Sequence, residues 1–272
     1  MEDLKNRTNR IINQYGIKAQ DRFSQNFLID ESRKNKIIST VPFKSLEEIV
    51  EIGCGLGSLT ASLVKSGVHV TGIEFDNDMI RVLKEEINQS NFTLIQGDFL
   101  VQDLSLFHVK QIGYIGNLPY SISRQILKKL LIEAKFSYFG FMVQKELGEK
   151  LIYKEGDSQT NIYSLMFALR GKLEKVIDLN PGCFYPAPKV DSSFLVFIPD
   201  RDNDIYTSKE VFDFLTVLFK NSKKTINNNL RDTKYAYVLD ELESKGISKT
   251  KRPFELSLEN IKLIISIIGI NN

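Results

Sequence analysis

Residues 47–57 read Glu47-Glu48-Ile49-Val50-Glu51-Ile52-Gly53-Cys54-Gly55-Leu56-Gly57, a short apolar run that ends in three glycines at alternate positions. The run has the length and β-branched content of a buried strand. Glycines at its end allow a sharp turn into a helix and let the backbone come close to a ligand. The same strand-then-helix unit recurs downstream. Strands are expected over 67–75, 92–98 and 112–117, with helices over 58–65, 78–88 and 124–133 between and after them. Parallel strands need such crossovers, so the unit predicts an α/β fold on a Rossmann-like parallel sheet. A further strand over 138–144 precedes helices over 145–154 and 161–169. Residues 172–197 then read as strand, proline-bearing loop and strand, an antiparallel end to the sheet.

At 199–204 the sequence Pro-Asp-Arg-Asp-Asn-Asp turns polar, and the alternation stops. Apolar residues now recur at helical spacing over 211–219, 235–242 and 258–268, with Pro253 breaking the chain before the last of these. Two domains are expected: 1–200 holding the sheet, and a small all-α domain over 201–272.

Composition narrows the function classes. With 42% hydrophobic residues the chain is rich enough for real cores, and no apolar stretch approaches the roughly 20 residues that span a bilayer. The first ten residues mix acids and bases where an export signal has a basic start and an apolar run, so residence in the cytoplasm is expected. Cys54 and Cys183 stand far apart, and His69 and His108 are the only histidines, so neither a disulfide framework nor a metal centre is expected.

The polar residues at the predicted strand ends carry the chemistry. Gly53, Glu74, Asp98 and Asn117 are separated by 21, 24 and 19 residues, one βα unit each. In a parallel sheet such positions converge at the carboxyl edge, where ligands bind. The glycines follow G-x-G-x-G rather than the G-x-G-x-x-G of dinucleotide binders, and Glu51 precedes them by two residues. That pattern favours a ligand with an amino group over a pyrophosphate. A carboxylate such as Glu74, about 20 residues beyond the turn, suits ribose hydroxyls. A nucleoside with an amine and no pyrophosphate is implied, and S-adenosylmethionine fits.

Asn117-Leu118-Pro119-Tyr120 follows the 112–117 strand. Proline fixes φ and holds the carbonyl before it as an acceptor, while asparagine adds a second acceptor and tyrosine an aromatic face. An exocyclic amine on a planar base needs such groups. Its lone pair is delocalised into the ring, and two acceptors on its hydrogens would favour the tetrahedral form and aim the lone pair at a methyl carbon. Stacking on Tyr120 would add roughly 1 to 3 kcal/mol.

These motifs, with several others, give the chain its likeness. It resembles the ribosomal RNA adenine N6-dimethyltransferases, most closely the KsgA (RsmA) type that methylates small-subunit rRNA. Besides the glycine loop and the tetrad, the resemblance rests on Phe23-Ser24-Gln25-Asn26-Phe27-Leu28, Gln96-Gly97-Asp98 and Met142-Val143-Gln144-Lys145-Glu146. It continues through Phe184-Tyr185-Pro186-Ala187-Pro188-Lys189-Val190-Asp191-Ser192 and Lys223-Lys224-Thr225-Ile226-Asn227-Asn228-Asn229-Leu230. The resemblance implies a class I S-adenosylmethionine-dependent methyltransferase fold, with 201–272 binding RNA. It implies a cofactor site of Asn26, Leu28, Gly53, Gly55, Glu74, Asp98 and Asn117, and a catalytic set of Asn117, Leu118, Pro119, Tyr120 and Phe184. Tyr120 and Phe184 would face the two sides of the base. The implied reaction is metal-free dimethylation of two adjacent adenosines in the 3′-terminal hairpin of 16S rRNA, each swung out of its stack. The implied partner is that rRNA within the small subunit or its precursor, engaged by a monomer with no membrane. Ser24, Cys54, Ser121 and Asn161-Ile162 depart from common residues of the family; of these only Ser121 adjoins the tetrad.

Two other readings remain at this stage. One is the Erm type, acting on a large-subunit adenosine, which Leu118 and Asp191 disfavour. The other is a small-subunit assembly factor whose catalysis is secondary. An NAD-dependent dehydrogenase is opposed by the glycine spacing. The net charge of +2 is low for an RNA-binding chain, yet it is unevenly spread. Residues 5–22, 220–234 and 245–252 each carry a net +4, leaving −10 for the rest, which suggests phosphate contacts in those windows.

Overall fold

The computed structural model of the protein describes residues 2–17, 25–107, 109–200 and 206–269. Phe23 and Ser24 of the first matched motif, basic positions 18 and 22, His108, and 201–204 of the polar break lie outside the described residues.

In chain order the elements are α1 (Leu4–Tyr15), β1 (Phe27–Leu28), α2 (Glu31–Ile38), β2 (Glu48–Ile52), α3 (Thr60–Leu63), β3 (His69–Glu74), α4 (Asn77–Glu86) and β4 (Phe92–Gln96). There follow β5 (Ile112–Asn117), α5 (Ser123–Glu133), β6 (Tyr138–Gln144), α6 (Lys145–Leu151), α7 (Ile162–Arg170), β7 (Gly171–Leu179), β8 (Phe184–Tyr185) and β9 (Ser192–Pro199). The last are α8 (Lys209–Leu218), α9 (Ile226–Leu230), α10 (Val238–Ser244) and α11 (Leu258–Ile267).

Seven strands form one sheet in the order β4-β3-β2-β5-β6-β9-β7. From β2 the chain steps outward through β3 to β4, then returns to the other side of β2 for β5 and β6, all in parallel pairs. The reversal lies between β2 and β5, and the carboxyl ends of those two strands carry Gly53 and Asn117. β9 closes against β6 in antiparallel register, from Phe139↔Phe197 to Gln144↔Ser192, as the sequence pattern predicts. The central strands β5 and β6 bury every residue but their last, the continuous burial of parallel strands covered on both faces. Gly116 lets β5 lie against β2: a Cβ there would sit 2.5 Å from the Ile52 carbonyl oxygen.

Two features go beyond the sequence reading. Helix α1 is capped by Asp3, which accepts from the Asn6 amide, and it ends at Gly16 with φ of 64°. Its buried Ile11 joins Phe27, Leu56, Met79 and Val82 in one apolar cluster, and Arg10 binds Glu86 of α4 through paired bonds of 2.9 and 2.8 Å. Arg7 donates to the Leu56 carbonyl at 3.0 Å. These two arginines of the first basic window therefore hold α1 to the sheet unit. The second feature is a two-stranded ladder, β1 with β8, pairing Phe27↔Tyr185 and Leu28↔Phe184.

The chain forms two compact units. The first comprises Met1–Lys129, Lys135–Gly148 and Glu174–Ile198; the second comprises Leu130–Ala134, Glu149–Leu173 and Pro199–Asn272. The second unit thus takes in more than the expected helical domain over 201–272, because α7 belongs with the helices that follow 199. Its core includes Leu165, Phe214, Leu218, Leu230, Leu242 and Ile264, each at most 1% exposed. Arg170 is buried within it and donates to the carbonyls of Leu130, Leu131 and Ala134, satisfying the end of α5.

Candidate active site

At the carboxyl edge of the first unit's sheet lies a cavity of about 270 Å³. Asn26, Leu28, Gly53, Gly55, Glu74, Asp98, Asn117 and Pro119 all line it, so the sequence-predicted cofactor positions meet in one place. Leu118, Tyr120 and Phe184 do not line it.

The glycine loop turns through Gly53 at φ 73° and Gly55 at φ 53°, left-handed backbone that favours glycine. Its fold is fixed by Glu74 at the end of β3. One carboxylate oxygen of Glu74 accepts from the Gly55 amide at 2.8 Å; the other accepts from the amides of Phe75 and Asp76 at 2.8 and 2.9 Å. Burial raises the Glu74 pKa, and these amides oppose that rise. A carboxylate has about four lone-pair positions, so with three amides bound one position remains for a ligand hydroxyl.

Glu51, inside β2, is 2% exposed and accepts from the Thr60 hydroxyl at 2.6 Å. Burial pushes its pKa up to about 8, with the neighbouring Glu74 adding to the rise and the Thr60 bond opposing it. Glu51 and Glu74 therefore border the cavity together with Asp76 and Asp98. A pyrophosphate there would face all four carboxyl groups; a cationic ligand would offset their like charge.

Asp98 follows β4 and accepts from the Leu100 amide at 2.9 Å through one oxygen. Asn117 ends β5, and its side-chain nitrogen donates to the Asn26 carbonyl at 2.9 Å. That bond assigns the amide's orientation and leaves the Asn117 carbonyl oxygen as the acceptor the side chain presents. Leu118 is buried and its amide donates to the Met142 carbonyl at 3.1 Å. The Tyr120 hydroxyl pairs with the Ser192 hydroxyl at 2.5 Å, and burial raises its pKa. Each of three distant segments thus supplies one bond to the tetrad: Asn26 before β1, Met142 in β6 and Ser192 in β9.

Phe184 is 3% exposed and belongs to the apolar core with Leu28, Met142 and Phe194, while Tyr185 beside it is 48% exposed. Sequence reasoning passed over Gln25 and Asp76, which also line the cavity. The Gln25 amide donates to Asp76 at 3.0 Å, and the other Asp76 oxygen caps α4. An aspartate two residues after Glu74, at a helix start, was the available signal.

Comparison with known proteins follows the same outline. A family model, ribosomal RNA adenine dimethylase, matches residues 16–269. A protein of Malacoplasma penetrans called ribosomal RNA small subunit methyltransferase A is 34% identical over 246 residues, covering 90% of this chain and 88% of that protein. A protein of the same name from Campylobacter jejuni is 35% identical over 248 residues, with 89% and 92% covered. Among solved structures, a dimethyladenosine transferase from Plasmodium falciparum aligns with a TM-score of 0.78 at 25% identity, covering 89% of this chain and 97% of that one. The 23S rRNA methyltransferase ErmE shares the fold, with a TM-score of 0.67 at 20% identity, covering 90% of this chain and all of that one. The chain belongs to the ribosomal RNA adenine dimethylase family.

Proposed function

We propose that this chain transfers methyl groups from S-adenosylmethionine to N6 of two adjacent adenosines in the 3′-terminal hairpin of small-subunit rRNA, and so takes part in small-subunit biogenesis. The observation that carries the reading is the Asn117 amide, whose nitrogen is committed to the Asn26 carbonyl at 2.9 Å beside a cavity bordered by Glu51 and Glu74. An amide whose nitrogen is held that way has its carbonyl oxygen available to accept from an incoming amine. The small-subunit name borne by the curated relatives supports the choice of rRNA over the large-subunit alternative.

The bound cosubstrate supplies a sulfonium methyl group as the electrophile. Glu74 would hold its ribose and Asp98 its adenine, Glu51 would favour its positive charge, and Asn26 and Leu28 would cover it. The Asn117 carbonyl oxygen and the Leu118 carbonyl accept the two hydrogens of the target amine, which localises its lone pair toward the methyl carbon. Pro119 holds the Leu118 carbonyl in place. Tyr120 offers its ring to one face of the extruded base. Phe184, buried in β8 and paired with Leu28 of β1, would support the segment that carries Asn26.

RNA contact is assigned to the second unit. There the Ile226 and Asn227 amides donate to the Lys251 and Lys249 carbonyls at 2.8 and 3.0 Å, which brings the basic windows 220–234 and 245–252 side by side. Lys223, Lys224, Lys251 and Arg252 are exposed there and suit phosphates. The protein acts as a monomer on the rRNA of the subunit or its precursor, in the cytoplasm.

Incubation with radiolabelled S-adenosylmethionine and either undermethylated 30S subunits or 23S rRNA tests the assignment. Label is expected in 16S rRNA as N6,N6-dimethyladenosine. Label confined to 23S rRNA would overturn it.

A further inference from the structure

Ser192 lies outside the tetrad and outside the cavity, and it is fully buried, at 0% exposure. It opens β9, where its register partner is Gln144 at the end of β6. Its hydroxyl sits 2.5 Å from the Tyr120 hydroxyl, 72 residues away in the chain. Around it the backbone is pinned. The Lys145 amide donates to the Asp191 carbonyl at 2.9 Å, and the next residue, Ser193, donates to Asp178 at 2.6 Å. Asp178 in turn pairs with Lys145 at 3.4 Å.

The tyrosine hydroxyl oxygen lies on the axis about which the ring turns, so anchoring it fixes where that axis points and where the ring lies. Stacking on an extruded base depends on that placement, because offset overlap is lost when the ring swings away. Tyr120 receives its fixed point from a buried, backbone-braced serine. We propose that Ser192 is a positioning residue for methyl transfer, acting through the Tyr120 hydroxyl to hold the ring at the place the target adenine needs. This rests on the rRNA adenine methyltransferase reading above. The base site is then assembled from outside itself, and the motif ending at Ser192 serves it without touching substrate.

The test compares wild type, Ser192→Ala, Tyr120→Phe and the double variant on undermethylated 30S subunits, with cosubstrate affinity measured separately by calorimetry. Ser192→Ala and Tyr120→Phe should each lower kcat by about five- to tenfold, the scale of one buried hydrogen bond. S-adenosylmethionine affinity should stay at the wild-type value in both. The double variant should be no slower than either single one, since both remove the same bond. Losses that multiply in the double variant overturn the proposal, as does a Tyr120→Phe enzyme as fast as wild type or a Ser192→Ala enzyme whose defect lies in cosubstrate affinity. A wild-type chain that labels no RNA overturns the functional reading and this proposal with it; active wild type with unaffected variants overturns this proposal alone.

Discussion

Burial gives Glu51 a protonation state that couples to its ligand. Its pKa of about 8 means that the ligand-free carboxyl holds a proton at neutral pH. A cationic cosubstrate favours the carboxylate, so binding below pH 8 should release a proton, and affinity should rise as pH increases through that value. Calorimetry in two buffers of different ionisation enthalpy measures the proton directly. Glu51→Gln should bind weakly at every pH, with no release. The stability of the ligand-free protein has the opposite slope. A folded pKa raised from 4.5 toward 8 means the folded state binds the proton more tightly, so this stabilising contribution is complete below 4.5 and is lost as pH rises to 8. At this scale the sequence was legible where βα spacing governed, placing Glu74, Asp98 and Asn117 at strand ends. It was silent on Tyr120 with Ser192 and on Gln25 with Asp76, because side chains that meet across 72 and 51 residues leave no local periodicity.

Single elements set what each substitution costs. The β1–β8 ladder spans two residues on each side, too short for any alternation to announce it, yet it ties the Asn26 segment to the proline-bearing loop. Phe184 is its buried member. Phe184→Ala should cost about 3 to 5 kcal/mol of stability, as large-to-small changes in cores do, besides lowering methyl transfer. Denaturant unfolding followed by far-ultraviolet dichroism checks this; a midpoint unchanged from wild type would place Phe184 outside the core. Helix α1 illustrates a weaker signal. Its buried residues Leu4, Thr8 and Ile11 follow helical spacing, but the segment is so polar that its pattern does not stand out. The strands from β2 to β6 were readable because both faces are covered, which forces continuous apolar runs between glycine and asparagine breaks. The same logic missed that α7 joins the later helices, since which helices share a core depends on faces that meet only after folding.

Across the whole molecule the net charge of +2 conceals a division of labour. Arg7 and Arg10 of the first basic window are engaged in holding α1 to its own unit, while Lys223, Lys224, Lys251 and Arg252 are among the exposed bases of the second unit that suit phosphates. RNA affinity should therefore fall steeply with salt, and Lys223→Gln with Lys224→Gln should reduce the log–log slope by about one per lost phosphate contact. Filter binding at several salt concentrations reads that slope, and an unchanged slope would move the RNA to another face. The central claim is that this cavity and tetrad dimethylate adenosines of the small-subunit hairpin. Primer extension across that hairpin tests it most directly, in cells lacking this chain and in the same cells given wild type or Asn117→Ala. Reverse transcriptase should stop at the two adenosines only with wild type, because N6,N6-dimethylation blocks pairing; read-through with wild type, or a stop with Asn117→Ala, would contradict it.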